Sequence, residues 1–375
     1  MRINIIGGGP AGLYFAILMK KANPSHEIKV CERNGPDDTF GWGVVFSGRT
    51  LANLRAADEE SHQAITREFE AWDNVDVVHR DSKISIHGNS FSGIARLNLL
   101  KILQHRAEQL GVDVAFKTEI NDIESLRSES DLLVAADGVN SGVRSRYSEQ
   151  LMPNLDVRDH RYIWYGTHQL FHGLTLTFRT NEHGVFAAHS YKFNETTSTF
   201  IVECDTQTFE HANLRSKSED ETRAYIANVF ARDLEDHQLL SNNSKWINFV
   251  LVKNEQWFFE NLVLLGDALH TAHFSIGSGT KLAMEDSIAL ADCFQRTQKV
   301  PEALTEFTKI RQPVIEDYQA AAFESMVWFE NAADHMHLRP IELAFSAMTR
   351  SGRVSYEDLE KRSPEFVKEY KTSTS

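Results

Sequence analysis

The sequence is poor in cysteine and in positive charge. Its 375 residues include three cysteines, and 39 lysines and arginines stand against 53 aspartates and glutamates, a formal net charge of −14. Cys31, Cys204 and Cys293 lie far apart without metal-type spacing, so they read as reduced thiols of a cytoplasmic protein, not as a disulfide framework. The acidic balance argues against nucleic acid or an anionic membrane as the main partner, and no basic run exceeds a few residues. No window reaches the apolar length of a transmembrane helix, and the apolar start is cut by glycines too early for a targeting segment. Internal repeats and low-complexity tracts are lacking too. No Ser/His/Asp or Cys/His arrangement stands out, and His335 and His337, two apart in a helical region, face different ways and make a poor metal pair. What is left is an ordinary globular composition, 42% apolar and 25% charged, on a chain long enough for two domains.

What is present begins at residue 2. Arg2-Ile3-Asn4-Ile5-Ile6 reads as a buried parallel strand, Gly7-Gly8-Gly9-Pro10-Ala11-Gly12 as a phosphate-binding turn, and Leu13-Tyr14-Phe15-Ala16 as the start of a helix. Gly7 permits the sharp turn, Gly9 lets backbone approach a pyrophosphate, and Gly12 lets helix pack on strand. The helix N-terminus then faces the ligand's charge. About 20 residues on, the strand Glu27–Cys31 ends at Glu32-Arg33, where a carboxylate can accept from a ribose. A ligand-free glycine turn is the plain alternative, and it leaves Glu32 unexplained.

Along the chain, Asn34–Asp38 is a turn cluster, and in Phe40–Ser47 two glycines bracket Trp42. That bracket suits either backbone held against something flat or a tight loop with a packed indole. Residues 48–71 carry helical spacing, while 75–79 and 83–87 alternate like paired strands. Arg96 opens a helix running from Leu97, 111–116 is a strand, and the apolar strand 131–136 stops at Asp137-Gly138, on the ligand edge of a parallel sheet. From about residue 151 the pattern becomes antiparallel: strands at 162–166, 174–178, 184–191 and 197–203, a helix at 219–231 and a strand at 246–252. The first pattern then returns, with strand 262–265 ending in Gly266-Asp267-Ala268, a loop at 270–276, and a helix opened by Gly277-Ser278-Gly279-Thr280. Helices follow Pro301, and the charged tail is expected to fray. On one strand His189 and Tyr191 share a face, which either lines a pocket or is half of an exposed polar surface. Trp164 and Tyr165 point to opposite faces, so one of them belongs to the core. Glu203, at a strand end, reads as structural.

The fingerprint with Glu32-Arg33, Arg96 at a helix start, Asp137-Gly138 and Gly266-Asp267 together resemble, in order and spacing, the group A flavoprotein aromatic hydroxylases, FAD monooxygenases related to para-hydroxybenzoate hydroxylase. The resemblance covers essentially the whole chain. Asp37–Ser47 and His270–Lys281 are similar to the hydroxylases of salicylyl-CoA and 2-aminobenzoyl-CoA, and Ile163–Thr167 and Ser198–Cys204 to the indole hydroxylase of violacein biosynthesis.

The fold it implies is α/β: a Rossmann-like FAD-binding domain of the GR2 flavoprotein type from 1–71, 92–150 and 261–298, an inserted antiparallel substrate domain from 72–91 and 151–260, and C-terminal helices over 299–375. Gly7, Gly9, Pro10, Ala11, Gly12, Glu32 and Arg33 would hold the adenosine half of FAD, with Arg96 near the pyrophosphate and Asp137 beside the cofactor. Gly266 and Asp267 would meet the ribityl chain. Trp42, Gly43, Gly277, Ser278, Gly279 and Thr280 would lie against the isoalloxazine, whose reduced anionic edge suits a helix N-terminus. Val45, Trp164, His189, Tyr191 and Phe274 are the candidate substrate pocket. Phe274 stands where most of the group has proline, a departure shared with the CoA-thioester subgroup. His273, His270 and Trp42 are candidates for positioning substrate or flavin, against a structural hydrogen bond for each histidine.

The implied reaction reduces FAD with NADH or NADPH, adds O2 at flavin C4a, and hydroxylates an electron-rich ring through the hydroperoxide. The absence of a second dinucleotide fingerprint suits a nicotinamide that visits and leaves. The expected substrate is a small aromatic, a 2-substituted benzoyl-CoA such as salicylyl-CoA attacked para to its donor, or a free indole-type ring. An FAD reductase or oxidase without oxygen insertion is the alternative of a different class, and a non-enzymatic flavin-binding regulator a remote one. A monomer or homodimer is expected.

Overall fold

A computed structural model describes residues 1–277 and 279–374. The apolar strand Arg2–Ile6 lies inside a six-stranded sheet, paired in parallel with Glu27–Cys31 on one side and Leu132–Ala135 on the other. Leu262–Leu264 adds beyond Leu132–Ala135 and Asp113–Ala115 beyond Glu27–Cys31, both parallel, and Phe258–Phe259 closes one edge antiparallel. Leu132–Ala135 and Leu262–Leu264 are buried throughout, as strands covered on both faces must be. Helix Pro10–Ala22 packs against the long helix Gly279–Arg296, and the Ser287 hydroxyl donates to Ala11 O at 2.9 Å. The end of the chain's third quarter is thereby fixed beside its first turn.

The second sheet has eight strands. Its order is Leu239–Leu240, Pro153–Thr167, Ser198–Cys204, Gly184–Lys192, Leu174–Asn181, Val75–His79 and Ser82–Ile86, with Ile247–Asn254 also paired to Pro153–Thr167. Residues 75–86 thus join strands that come much later in the chain, through a parallel pairing of Val75–His79 with Leu174–Asn181. The strand expected over 162–166 runs fifteen residues and serves three partners, with a register shift between Val157 and Arg161 in its pairing with Ile247–Asn254. One face of the sheet is covered by Thr206–His211 and Glu219–Val229 around Tyr165, Phe186 and Phe200, so Tyr165 is the core residue of the Trp164/Tyr165 pair. The other face meets the C-terminal helices through Leu176, Phe178, Val185 and Ala187. A small third sheet pairs Gly43–Ser47 and Glu70–Trp72 with Phe91–Ala95.

The frayed tail is a correction. Residues Pro364–Thr374 form a helix with Phe366 and Val367 buried, and Tyr370 stacks on Phe345 at 4.2 Å. Apolar residues at 366, 367 and 370 make one stripe through an otherwise charged segment, and that stripe docks it. No helix among the described residues is long and apolar enough to cross a membrane.

Candidate functional site

The turn after Arg2–Ile6 is made of glycines for three different reasons. Gly7 has φ +107°, and a Cβ there would sit 2.1 Å from Ala136 O; a Cβ on Gly12 would sit 2.2 Å from Gly7 O. Gly9, the N-cap of helix Pro10–Ala22, has nothing within 4 Å of its absent Cβ. The first two glycines let protein meet protein, while the third leaves room for something else. Glu32 accepts from Gly8 N at 2.8 Å through Oε2 and from Asn34 N and Nδ2 at 2.7 and 2.9 Å through Oε1. It ties the turn to the next strand and retains acceptor capacity for a ligand. A cleft of about 340 Å³ opens here, lined by Gly9, Glu32, Arg33, Arg96, Asp137 and Gly138 among others.

Several polar groups beside this cleft are incompletely paired. Asp137 Oδ2 accepts from Val143 N at 3.2 Å, but its buried Oδ1 has no partner among the described residues, nor has Arg96 Nε. Gly138, Gly142 and Gly279 have open space where a Cβ would project. Asp267, on the turn Gly266–Ala268, keeps accessible surface yet is deeply surrounded by protein; this desolvation raises its carboxyl pKa, opposed by the nearby charge of Arg96. Arg96 and Tyr162 are likewise deeply surrounded and only half-buried, which marks an internal opening. Tyr162 is pushed up to about 12, by burial first and then by Asp267. A phosphate-rich dinucleotide fits this set: a helix N-terminus, open glycines, an orphaned arginine nitrogen and a spare carboxylate oxygen.

The glycine bracket around Trp42 resolves into mutual packing. A Cβ on Gly41 would meet the Trp164 ring at 2.8 Å, and one on Gly166 would meet the Trp42 ring at 2.7 Å, so each indole lies over the other's glycine. Gly43 is pressed on Phe193, its N–H donates to Thr199 Oγ1 at 3.0 Å, and its carbonyl accepts from Tyr191 Oη at 2.8 Å. The flat surface beside Gly41 is therefore Trp164, and the indole N–H groups of Trp42 and Trp164 are left without partners among the described residues. Val45 sits 3.9 Å from the position of a Cβ on Gly277.

His189 and Tyr191 are both buried, which removes the exposed-face reading. Tyr191 stacks on Trp72 and holds Gly43, whereas His189 meets Phe274 at 5.3 Å and Phe329 at 4.5 Å between ring centres. Phe274 in turn lies 4.7 Å from Tyr162 and 4.1 Å from His273. His189, His273 and Phe274 are brought together; Trp164 and Val45 are held at the glycine loops. His273 Nδ1 pairs with Ser275 Oγ at 2.8 Å, Ser275 Oγ with Ser325 Oγ at 2.7 Å, and Arg350 Nε donates to Ser325 Oγ at 2.8 Å. Burial pushes His273 down to about 3, so its ring is neutral. His270 stands apart from this group. Its Nε2 is 2.5 Å from Asp286 Oδ2, and Arg311 Nε donates to the other carboxylate oxygen at 2.8 Å. Pro10 and Ala11 form the first helical turn, Gly279 and Thr280 begin the long helix, Gly266 has φ +63°, and Ser278 lies outside the described residues.

Sequence reasoning read Glu203 as structural and passed over His160, Ser325, Phe329 and Arg350. Glu203 is fully buried, with His189 Nε2 at 2.5 Å from Oε1 and His160 Nε2 at 3.1 Å from Oε2. Burial would raise its pKa, but the two imidazoles overcome that and hold the carboxyl below the usual carboxylate range. The available signal was a single carboxylate in the otherwise uncharged strand Ser198–Cys204. The others are distant in sequence and have no local pattern. Arg158, Arg161 and Arg179 are engaged by Glu330 and Asp156, by Asn248, and by Asp233 respectively.

Residues 1–322 match the family model described as FAD binding domain. The chain is 39% identical over 362 residues to a salicyloyl-CoA 5-hydroxylase of Streptomyces sp., covering 94% of this chain and 70% of that one. It is 35% identical to the protodeoxyviolaceinate monooxygenase of Chromobacterium violaceum, covering 94% and 95%. A solved tetrameric form of 2-methyl-3-hydroxypyridine-5-carboxylic acid oxygenase superposes with a TM-score of 0.70 at 17% identity over 96% of this chain and 97% of that one, which shows the shared fold.

Proposed function

The chain belongs to the FAD binding domain family as a single-component FAD-dependent aromatic monooxygenase, and from that premise we propose that its substrate is a 2-substituted benzoyl thioester of the salicylyl-CoA type, hydroxylated para to the donor group with NADH or NADPH as reductant. The observation that carries this reading is the aromatic group of Tyr162, Phe274 and His189, in which Tyr162 lies within reach of the charge of Asp267 and Asp267 within reach of that of Arg96. Such a group offers a flat ring an apolar wall to lie against. The relative at 39% identity is named for a CoA thioester, which supports the thioester over the free acid.

FAD, when bound, supplies reduction by the nicotinamide and activation of O2. The chain's own residues bind and orient. Arg96 brings positive charge beside the phosphates, Gly9 leaves them room, Asp267 offers a carboxylate to the ribityl hydroxyls, and the N-terminus of Gly279–Arg296 favours negative charge on the flavin. Phe274 and Tyr162 exclude water from the ring-binding end. Arg158 and Arg179 are held in ion pairs, whereas Arg161 bonds only the neutral Asn248 and keeps an unpartnered Nε among the described residues.

The test is NADH and NADPH oxidation by the purified yellow protein with salicylate, salicylyl-CoA, 2-aminobenzoyl-CoA and an indole, with products weighed by mass spectrometry. Thioester-stimulated oxidation and a gain of one oxygen are expected. If no aryl-CoA stimulates oxidation, the substrate reading falls; stimulation by the indole favours the second reading, which the 35% relative and the Trp164 strand support. Hydrogen peroxide with no oxygen in product would mark a reductase or oxidase.

A further inference from the structure

A thioester of the kind proposed above carries its ring on a long arm that ends in phosphate groups, and a chain with a formal net charge of −14 holds phosphate where it gathers cations. Such a place lies where helix Gly279–Arg296 meets helix Val300–Glu330. Lys281, near the start of the first helix, is 8% exposed; its Nζ donates to Tyr318 Oη at 2.8 Å and lies 4.5 Å from the centre of that ring. Arg353, in the turn after helix Pro340–Thr349, lies over the same ring at 4.2 Å. Arg350, just before that turn, lies over Phe329 at 5.2 Å and donates only to neutral oxygens, those of Ser325 Oγ, Ser275 O and Ala347 O.

Carboxylates do not match these cations. Glu285, one turn beyond Lys281 on the same helix, turns instead to Thr50, Asn53 and Arg311, and no carboxylate lies within ion-pair distance of Lys281 among the described residues. Arg353 is paired with Asp317 alone, whose side chain is 74% exposed, and such a surface pair is weak. An ammonium has three donors, and a single phenol receives them here. A buried cation without a counter-charge is destabilising until an anion arrives. Tyr318 is half-buried and the Arg353 side chain is 35% exposed, so the pair of cations opens to solvent on that side.

We propose that Lys281 and Arg353, set on the ring of Tyr318, form the subsite that holds the phosphate end of the thioester's pantetheine arm. The proposal rests on the thioester reading above and says where the far end of that substrate is held. Helix Val300–Glu330 supplies the scale. Tyr318 and Phe329 lie on one face of it, about 16 Å apart along the axis. Phe329 meets the ring of His189 in the aromatic group, and Tyr318 carries the two cations. A pantetheine arm has the reach of four to five extended residues, roughly 15 Å from sulfur to phosphorus. The two lengths agree, so one substrate can have its ring at the aromatic group and its phosphate at Tyr318. The guanidinium offers a fork to phosphate oxygens and the ammonium a point charge, and Arg350 adds positive potential behind them.

The experiment measures NADH or NADPH oxidation by the FAD-loaded enzyme with three salicylyl thioesters: that of CoA, that of 4′-phosphopantetheine, which has a single phosphate, and that of pantetheine, which has none. If none of them stimulates oxidation, the thioester reading falls and this one with it. Where the parent responds, Arg353→Met is expected to raise KM for salicylyl-CoA roughly 10-fold, with kcat changed less. It should act far less on the pantetheine thioester and flatten the rise of KM with salt. Lys281→Met, which removes the charge and keeps the bulk of the stem, should show the same preference, and Arg353→Lys should recover part of the loss. An equal effect of Arg353→Met on all three thioesters, or none on any, overturns the subsite. The phosphopantetheine thioester separates the sources of the phosphate: a full effect there supports an arm carried on a protein, and a larger effect with CoA supports the free thioester.

Discussion

The nucleotide cleft and the cluster around His189 are assembled on opposite plans. At the cleft the working groups are mostly backbone, drawn from one run of sequence: the turn at Gly7–Gly12, closed against Ala136 and tied by Glu32. At the cluster they are side chains from strands Pro153–Thr167, Gly184–Lys192 and Ser198–Cys204, the loop at His273–Ser275, helix Val300–Glu330 and the end of helix Pro340–Thr349. A backbone site fails when an atom is added, because a Cβ has nowhere to go. A side-chain site fails when an atom is removed, and then by degrees, since each partner is held separately by its own element.

The sharpest way to break this contrast is within the turn itself. Gly7→Ala is expected to cost about 3 kcal/mol or more through backbone collision and positive φ, visible as a large fall in Tm and a colourless protein. Gly9→Ala should change apo stability by less than about 0.5 kcal/mol while weakening FAD, read by flavin fluorescence titration. A second test is Arg96→Met, which removes the charge opposite Asp267 and should raise the FAD Kd roughly 30-fold, about 2 kcal/mol. It should also raise the Asp267 pKa further.

On the side-chain plan, His273 provides a pH test. Its folded pKa of about 3 lies below the unfolded value near 6.5, so the unfolded chain binds the proton first. The stability it confers is full above pH 6.5 and is lost as pH falls toward 3. Parent enzyme should lose about 1 kcal/mol from this source between pH 8 and pH 5.5, and His273→Gln should flatten that part of the Tm profile. The smallest effect is expected for Tyr191→Phe, which removes one hydrogen bond to Gly43 and should cost under about 1 kcal/mol. A loss of several kcal/mol there would mean that the glycine bracket is held by that side chain and belongs with the cluster.

The same division decides what could be read from sequence. The cleft was legible because turn, helix start and acid fall at fixed short spacings, and each glycine's role follows from local geometry. The placement of 75–86 beside 174–181 was hidden, because strand pairing depends on contacts a hundred residues apart. Glu203 left a trace as a carboxylate in an apolar strand, yet its partners sit 14 and 43 positions away and announce nothing locally. The Trp42 bracket left open whether backbone lay against something flat or the loop merely packed its indole; that Gly41 lies against Trp164 is a fact of tertiary packing. His270 had the same local claim as His273, and only the packing of Gly279–Arg296 and Arg311 separates them.

One feature of the C-terminal part of the chain bears on how such an enzyme can diversify. The family match ends at residue 322, and Ser325, Phe329 and Arg350, which brace the wall behind His273 and His189, all lie after it. The wall behind the two histidines therefore draws on a stretch beyond that match, while Tyr162, Phe274 and His189 themselves lie within it. A graft that exchanges residues 323–375 between relatives would be expected to keep the yellow colour and to shift the back wall of the ring-binding end without replacing the residues that face it.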